Sequence, residues 1–182
     1  MDQPKWYGYN LLGNEKALDL GCGVQKVPGS IGVDMNAETA ADVVHNLDVV
    51  PYPLPDDSFD IIFMNHCFEH LLDPRAALQE CLRVARPNAS IFIMMPHFTN
   101  ASSFGDVTHR RHFSYRALPG LAKDVKSRRK SLVVAKMKIT ARIFPFTPLI
   151  NLAPRFWEDY LCYMITGRTL YYRLQVTNVD TV

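Results

Sequence analysis

The sequence predicts an α/β fold, in which a mostly parallel sheet carries helices on both faces and ends in an antiparallel pair of strands. Nearly continuous apolar runs, typical of parallel strands buried on both faces, cover residues 16–20, 30–33, 59–64 and 90–95. A helical pattern separates the last two runs, and this order indicates a right-handed parallel crossover. Residues 132–140 and 170–176 alternate apolar and polar side chains, which is typical of strands that are solvated on one face.

The crossover helix is predicted from its start signal, its apolar stripe and its stop signal. Asp73 can cap the helix and Pro74 suits its first turn, while residues 86–88 are expected to end it. Apolar side chains at helical spacing form one face: Ala77, Leu78, Cys81, Leu82 and Ala85. Residues 42–45 are predicted to form a further short strand.

The segment 141–168 separates the two alternating strands, and we expect it to be an insertion within a single domain that covers residues 1–182. Three prolines stiffen it and prevent a long regular element: Pro145, Pro148 and Pro154. A short amphipathic helix is expected to begin near Pro154, with an apolar face formed by Trp157, Tyr160, Leu161 and Met164. Such a face must be covered, so the segment is predicted to form substrate-pocket wall or a subunit contact, and a homodimer is compatible with it.

The composition argues against several classes of protein. The chain has 182 residues, of which 48% are hydrophobic and 21% charged, and its net charge of +2 gives no general argument for nucleic acid or an acidic membrane. Its four scattered cysteines indicate reduced thiols of a cytoplasmic protein. The N-terminal residues lack a signal-peptide pattern, and the longest apolar stretch, 143–154, is too short to cross a bilayer. We interpret the basic run 123–138 as a solvated surface, so nucleic acid is not an expected partner.

Glycines and polar side chains follow the predicted strands at their carboxyl ends, where open parallel sheets bind ligands. Gly21 and Gly23 come after the first strand and let the backbone turn tightly and approach a ligand. Asp34 closes the second strand, where it can accept hydrogen bonds from two ribose hydroxyls. Asn65 follows the strand at 59–64, and Asp48 stands where a polar side chain could meet an adenine amino group.

A nicotinamide-dependent oxidoreductase is the obvious competing interpretation of this pattern. Its fingerprint is G-x-G-x-x-G with an acid about 20 residues further on. Here Lys26 stands at the third glycine position, and Asp34 comes too soon. The loop between Gly23 and Asp34 also leaves little room for the helix of that fingerprint, so the sequence disfavours this class.

An ordered set of motifs resembles those of the class I S-adenosylmethionine-dependent methyltransferases, which are Rossmann-like, and in particular a small, compact subgroup. Residues 18–23 are similar to motif I of that family, and Asp34 matches the acid closing its second strand. Residues 56–62, 66–71 and 80–87 resemble the entry to strand four, the H-x-x-E-H-L that follows, and the E-x-x-R-V-L-K-P helix end. Gln25 and residues 88–89 replace glycines of the family without removing a cofactor ligand.

The resemblance implies S-adenosyl-L-methionine as the cofactor. The residues implied to contact it are Asp19, Gly21, Gly23, Asp34, Met35, Leu47, Asp48, Asn65 and His66. The first three would hold the methionine part and the ribose, and Asp34 would bind the ribose hydroxyls. Met35, Leu47 and Asp48 would lie around the adenine, and the last two would line the cofactor near its sulfur.

The implied reaction is methyl transfer to an acceptor that we expect to be a small molecule or a sugar-type oxygen or nitrogen nucleophile. Oxygen and protonated amine acceptors need a base, and His97 and His109 are the catalytic candidates. The cluster of these two histidines with His112 and Asp106 matches no established ligand spacing, so no metal is predicted. The alternative is a non-catalytic S-adenosylmethionine-binding partner of another enzyme, because an intact cofactor site without an evident base would have the same sequence.

Overall fold

A seven-stranded sheet forms the centre of the computed structural model, which describes residues 14–127, 129–141 and 146–179. The strands are β1 (Ala17–Leu20), β2 (Ile31–Asp34), β3 (Val43–Val44), β4 (Phe59–Asn65), β5 (Ala85–Pro96), β6 (Lys130–Ala141) and β7 (Gly167–Asn178). The described residues also form α1 (Pro74–Val84), α2 (Ala101–Gly105), α3 (Ala117–Asp124), α4 (Phe146–Leu152) and α5 (Pro154–Tyr160), and a 3₁₀ turn covers Phe68–His70.

The strand order is β3-β2-β1-β4-β5-β7-β6. Strands β1 to β5 run parallel, whereas β7 pairs antiparallel with both β5 and β6. The carboxyl ends of β1, β2 and β4 therefore meet at one edge of the sheet, with Leu20 opposite Met64 in the register. This topology confirms the predicted fold class, a Rossmann-like, mostly parallel sheet with an antiparallel pair at its C-terminal end.

The crossover helix α1 begins where the sequence predicts. The Asp73 carboxylate accepts hydrogen bonds from the backbone N–H groups of Arg75 (2.9 Å) and Ala76 (3.1 Å), and Pro74 occupies the first turn. The helix ends at Val84, and β5 begins directly at Ala85. Residues 86–88 therefore belong to the strand, although the sequence predicts them as a stop signal between elements.

Two clusters of buried side chains lie on the two faces of the sheet. The larger contains alternate residues of β5 and β7, such as Ile91 and Tyr172, together with the buried side chains of α1, α3, α4 and α5. The smaller is formed by Ala17, Ile61, Phe63, Phe92 and Met94, with Val27 and Tyr171 packed against it. Within the described ranges, the helices thus contribute to the core on one face, whereas the sequence predicts helices on both.

The segment between β6 and β7 contains more regular structure than expected. Helix α4 precedes the predicted helix at Pro154, and α5 ends at Tyr160. Trp157 is buried, whereas Tyr160 and Met164 are 71% and 81% exposed, so the predicted apolar face is only partly covered by the chain itself. Pro145 and the N-terminal residues 1–13 lie outside the described residues. The organisation as one domain with an insertion at 141–168 stays a prediction.

The described part of the chain contains no helix with the length and apolar character needed to cross a membrane. All four cysteines are buried and free, as the sequence predicts for reduced thiols. Burial raises the pKa of the Cys22 thiol to about 11, with the carboxylates of Asp19 and Asp34 adding to the effect.

Candidate functional site

A cavity of about 210 Å³ lies at the carboxyl ends of β1, β2 and β4. Most of the residues implied to contact the cofactor line it: Gly21, Asp34, Met35, Leu47, Asp48 and His66. The remaining lining residues are His45, Asn46, Cys67, His70 and Leu71. Asp19, Gly23 and Asn65 lie outside this lining, and their predicted cofactor contacts stay predictions.

A second cavity, of about 360 Å³, lies beside the residues that precede β4 and β6. Four of its six charged side chains form two ion pairs, because Arg83 contacts Asp56 at 2.5 Å and Lys130 contacts Asp57 at 2.6 Å. Ligands of open parallel sheets bind at the carboxyl ends of strands, and this cavity lies toward the amino ends of β4 and β6. The smaller cavity is therefore the candidate site.

Asp19 is a buried carboxylate directly beneath the loop that follows β1. Its side chain is 2% exposed, and its Oδ2 accepts a hydrogen bond from the Val27 backbone N–H at 2.8 Å. Its Oδ1 has no hydrogen-bond partner within the described residues. Burial raises the pKa of Asp19 to about 6, although the Val27 hydrogen bond and the nearby Lys26 act in the opposite direction. A buried carboxylate oxygen without a partner suits a cationic amino group such as that of a methionine moiety.

Gly21 brings the loop after β1 into contact with Cys67, in the turn after β4. Its φ is +70°, in the left-handed region, and a Cβ at this position would lie 2.5 Å from the Cys67 Sγ. Glycine is thus required by both backbone conformation and space. This close contact between Gly21 and Cys67 limits the width of the cavity between the ends of β1 and β4.

Asp34, at the end of β2, is held in one orientation by the backbone. Its Oδ2 accepts a hydrogen bond from the Gly23 N–H and its Oδ1 accepts one from the Asn36 N–H, each at 2.9 Å. Each carboxylate oxygen keeps further lone-pair capacity for a ligand. Met35, the next residue, is 69% exposed on the cavity wall. This arrangement fits an acid that accepts hydrogen bonds from adjacent ribose hydroxyls.

Leu47 and Asp48, which also line the cavity as part of its wall, are each held by a hydrogen bond. The Tyr52 hydroxyl donates to the Leu47 carbonyl at 3.0 Å, and the Asp48 Oδ1 accepts from the Leu72 N–H at 2.7 Å. Tyr52 is itself buried in the larger core cluster, so its hydrogen bond connects Leu47 to the hydrophobic core. The wall is therefore preorganised for a flat ligand group.

Asn65 and His66 form the turn at the end of β4. The Asn65 Oδ1 is buried and has no hydrogen-bond partner within the described residues. His66 has a φ of 49°, and its Nδ1 lies 3.2 Å from the Glu69 Oε1. His66 therefore lines the cavity, and its contact with Glu69 links the end of β4 to the 3₁₀ turn.

His97 lies at the carboxyl end of β5, as predicted, but its ring is fully buried. Its Nδ1 accepts from the Thr99 N–H at 3.2 Å, and its Nε2 lies 3.1 Å from the Glu158 Oε1. The ring also packs against Trp157, with ring centroids 5.1 Å apart. Both nitrogens are thus engaged, and the Nε2 contact joins the end of β5 to α5, so a role as base stays a prediction that this geometry disfavours.

His109 belongs to a different cluster, in the loop after α2. Its Nδ1 lies 3.0 Å from the Ser103 carbonyl oxygen, and its Nε2 lies 3.9 Å from the Glu69 Oε1. The His109 and His70 rings meet edge to face at 4.7 Å. Glu69 and His70 belong to the H-x-x-E-H-L motif of the sequence. The motif does not indicate that His109, in a loop about forty residues further along the chain, lies beside them.

Comparisons with known proteins agree with this fold. Residues 18–93 match the family described as a methyltransferase domain. The chain is 32% identical over 94 residues to a demethylmenaquinone methyltransferase of Corynebacterium urealyticum, covering 52% of this chain and 40% of the relative. It is 40% identical over 47 residues to the ajmaline N-methyltransferase of Rauvolfia serpentina, covering 26% of this chain and 16% of the relative. The chain thus spans less than half the length of these two curated relatives.

A solved structure has the same fold over nearly the whole chain. The crystal structure of an S-adenosylmethionine-dependent methyltransferase from Mesorhizobium loti aligns with a TM-score of 0.64 and 12% sequence identity, covering 94% of this chain and 97% of that one. Identity at this level supports the fold, whereas the family model supports the motifs at residues 18–93. These findings agree with the family predicted from the sequence, for which S-adenosylmethionine is the implied cofactor. The chain is therefore similar over residues 18–93 to the methyltransferase-domain family, and it shares its fold with S-adenosylmethionine-dependent methyltransferases.

Proposed function

We propose that this chain is an S-adenosylmethionine-dependent methyltransferase that acts on a small-molecule oxygen or nitrogen nucleophile. The observation that carries the proposal is the cavity at the carboxyl ends of β1, β2 and β4, which Asp34 and Asp48 both line. The relatives named for ajmaline and demethylmenaquinone support an acceptor of small size. Nucleic acid is not the proposed partner.

The polar groups of the site match the parts of the proposed cofactor. The unpartnered Asp19 Oδ1 would accept a hydrogen bond from the cationic amino group, and the fixed Asp34 carboxylate would accept from the ribose hydroxyls. The wall at Leu47 and Asp48 would bound the adenine. Each of these groups is held by a backbone or core contact before any ligand binds, which reduces the entropic cost of binding.

S-adenosylmethionine supplies a methyl group on a positively charged sulfur that leaves as a neutral thioether. The main task of the chain is therefore to position two reactants in line, which contributes to the rate through proximity and orientation. The tight contact between Gly21 and Cys67 limits where a ligand can lie between β1 and β4. The turn at His66 forms the adjoining boundary, on the side where an acceptor would enter.

A non-catalytic S-adenosylmethionine-binding role is the second candidate, and the burial of His97 favours it. That ring has neither solvent access nor an unengaged nitrogen. The His109 Nε2 makes no hydrogen bond within the described residues, and the nearest carboxylate oxygens, of Asp106 and Glu69, lie 3.8 and 3.9 Å away. His109 is therefore the candidate base that remains available.

Calorimetric titration with S-adenosylmethionine tests the cofactor site. Asp34→Ala should weaken binding by about 1–3 kcal/mol through lost charge-assisted hydrogen bonds, whereas the exposed Asp124→Ala on α3 should not change it. Equal affinity of the wild type and the Asp34 variant would remove the site assignment. Release of S-adenosylhomocysteine in the presence of an acceptor library distinguishes the candidates, because cofactor binding without transfer to any acceptor would favour the non-catalytic role.

A further inference from the structure

A cluster of metal-binding side chains adjoins the candidate cofactor site. Glu69 and His70 lie on the 3₁₀ turn after β4, and His109 reaches them from the loop after α2. One potential ligand atom from each residue lies within 4.8 Å of the other two. The Glu69 carbonyl accepts backbone hydrogen bonds from Arg110 (3.0 Å) and Arg111 (3.3 Å), so the loop is fixed against the turn.

The hydrogen bonds of the two histidines leave the same nitrogen available on each ring. The His109 Nδ1 lies 3.0 Å from the Ser103 carbonyl oxygen, which can only accept, so Nδ1 carries the hydrogen. The His70 Nδ1 faces the Thr108 carbonyl oxygen at 3.3 Å and the Thr108 Oγ1 at 3.0 Å. Both rings therefore present a lone pair on Nε2. Metal-binding histidines commonly donate their other N–H to a carbonyl or carboxylate in this way.

The Glu69 carboxylate is buried and only partly hydrogen-bonded, which is a second observation that points to a cation. Its side chain is 0% exposed, and the Oε1 lies 3.2 Å from the His66 Nδ1. The Oε2 is buried without a hydrogen-bond partner within the described residues. The carboxylate is thus buried and incompletely hydrogen-bonded, which is costly. Its Oε1 lies 3.9 Å from the His109 Nε2, so a cation bound between this carboxylate and the two Nε2 atoms would offset the cost of its burial.

We propose that Glu69, His70 and His109 bind one divalent first-row transition metal ion, such as zinc, beside the cofactor pocket. Imidazole nitrogens with a carboxylate oxygen suit such ions. Bond lengths of about 2.0–2.2 Å to zinc would bring the ligand atoms closer together than they now lie, so the side chains must close by about 1 Å. The Asp106 Oδ2, 3.8 Å from the His109 Nε2, is within reach as a further ligand.

The location of the site suggests what the metal ion does. His70 lines the cofactor cavity as well as the cluster, so an open coordination position would face an acceptor in that cavity. A hydroxyl group bound there would have a lowered pKa and would lose its proton to water without a protein base. This role rests on the proposed methyl transfer, whereas metal binding itself does not.

The test uses the tag-free full chain, treated with chelator and titrated with Co²⁺ and then Zn²⁺. We expect one equivalent of Co²⁺ with visible absorption bands, displaced by Zn²⁺. His70→Gln and His109→Gln should each weaken binding by about tenfold or more, since even loss of a supporting contact costs about 10–100-fold. His112→Gln is the matched control, because His112 lies in the same loop but bonds the Ser103 hydroxyl at 2.9 Å, outside the cluster.

Three results would overturn the proposal: no saturable binding to the wild type, binding that both variants retain, or binding that the control loses equally. Circular dichroism confirms that each variant is folded. A parallel titration with S-adenosylmethionine separates the two hypotheses, because cofactor binding without metal binding would leave the proposed function in place and remove only the metal site.

Discussion

Asp19 gives a sharp test of the site, because the negative charge of its carboxylate lowers the stability of the folded chain and should increase the affinity for the proposed cofactor. Burial raises the pKa of its carboxyl from 3.8 to about 6. Since the unfolded chain ionises this group at lower pH, the folded state loses stability as pH rises between these two values. The full cost of ionisation is about 3 kcal/mol above pH 6, from about 1.4 kcal/mol for each pKa unit.

Asp19→Asn removes the charge and can keep the hydrogen bond from the Val27 N–H. Its new amide N–H₂ has a pH-independent desolvation cost of about 1–3 kcal/mol. The difference in the free energy of unfolding between the two proteins must nevertheless change with pH. Between about pH 5 and about pH 8, it should shift by about 1.4 kcal/mol in favour of the variant. The same variant should bind S-adenosylmethionine at least about tenfold more weakly, through the loss of a charge-assisted hydrogen bond.

Urea unfolding at both pH values measures the free-energy difference, and calorimetry measures the affinity. Asp124→Asn, on the exposed end of α3, is the control and should give no pH-dependent difference. A wild-type and Asp19→Asn difference that is equal at both pH values would refute the raised pKa. Unchanged affinity would refute the assignment of Asp19 to the cofactor site.

Three further perturbations follow from the contacts described. His97→Ala should lower the free energy of unfolding by about 2–4 kcal/mol, because it removes a buried ring that packs on Trp157 and contacts the Glu158 carboxylate, to which the Tyr115 N–H would still donate; an unchanged urea midpoint with lost turnover would instead support a catalytic histidine. Tyr52→Phe removes the hydrogen bond to the Leu47 carbonyl, so stability should fall by about 1 kcal/mol and cofactor affinity should fall with it; a calorimetric affinity equal to that of the wild type would show that this wall does not touch the ligand. Met164→Ser removes a side chain that is 81% exposed, so a dimer held through this face should dissociate in sedimentation, whereas an unchanged sedimentation coefficient would argue against a subunit contact.

The parallel sheet was predictable because its central strands are buried on both faces. Residues 59–64 and 90–95 are apolar except for Asp60 and Ser90, and the structure buries both sides of β4 and β5 along these stretches. The carboxyl-end rule then located the ligand cavity without any long-range information, since Gly21 and Asp34 immediately follow or end their strands. Local sequence was sufficient wherever burial and chain direction alone determine position.

The histidine environments could not be predicted in the same way. The partner of His97 is Glu158, which lies 61 residues further along the chain, and the partner of the 3₁₀ turn is His109 in another loop. Whether a histidine is a base, a metal ligand or a core residue depends on these distant contacts. Helices α2 and α3 were not predicted because they are short and carry no long periodic pattern. Helix α3 packs against β6, a contact that local sequence does not reveal.

The position of β7 has a consequence for how the protein is made. In the sheet, β7 separates β6 from β5, although it follows both in the chain. During translation, β6 leaves the ribosome before β7, the strand with which it pairs in the described sheet, so its hydrogen-bonding edge is open to solvent or to other nascent chains until β7 is made. Residues 130–141 are therefore exposed to misassociation during synthesis, and two of the three lysines within this stretch, Lys136 and Lys138, lie where charge opposes pairing between strand edges.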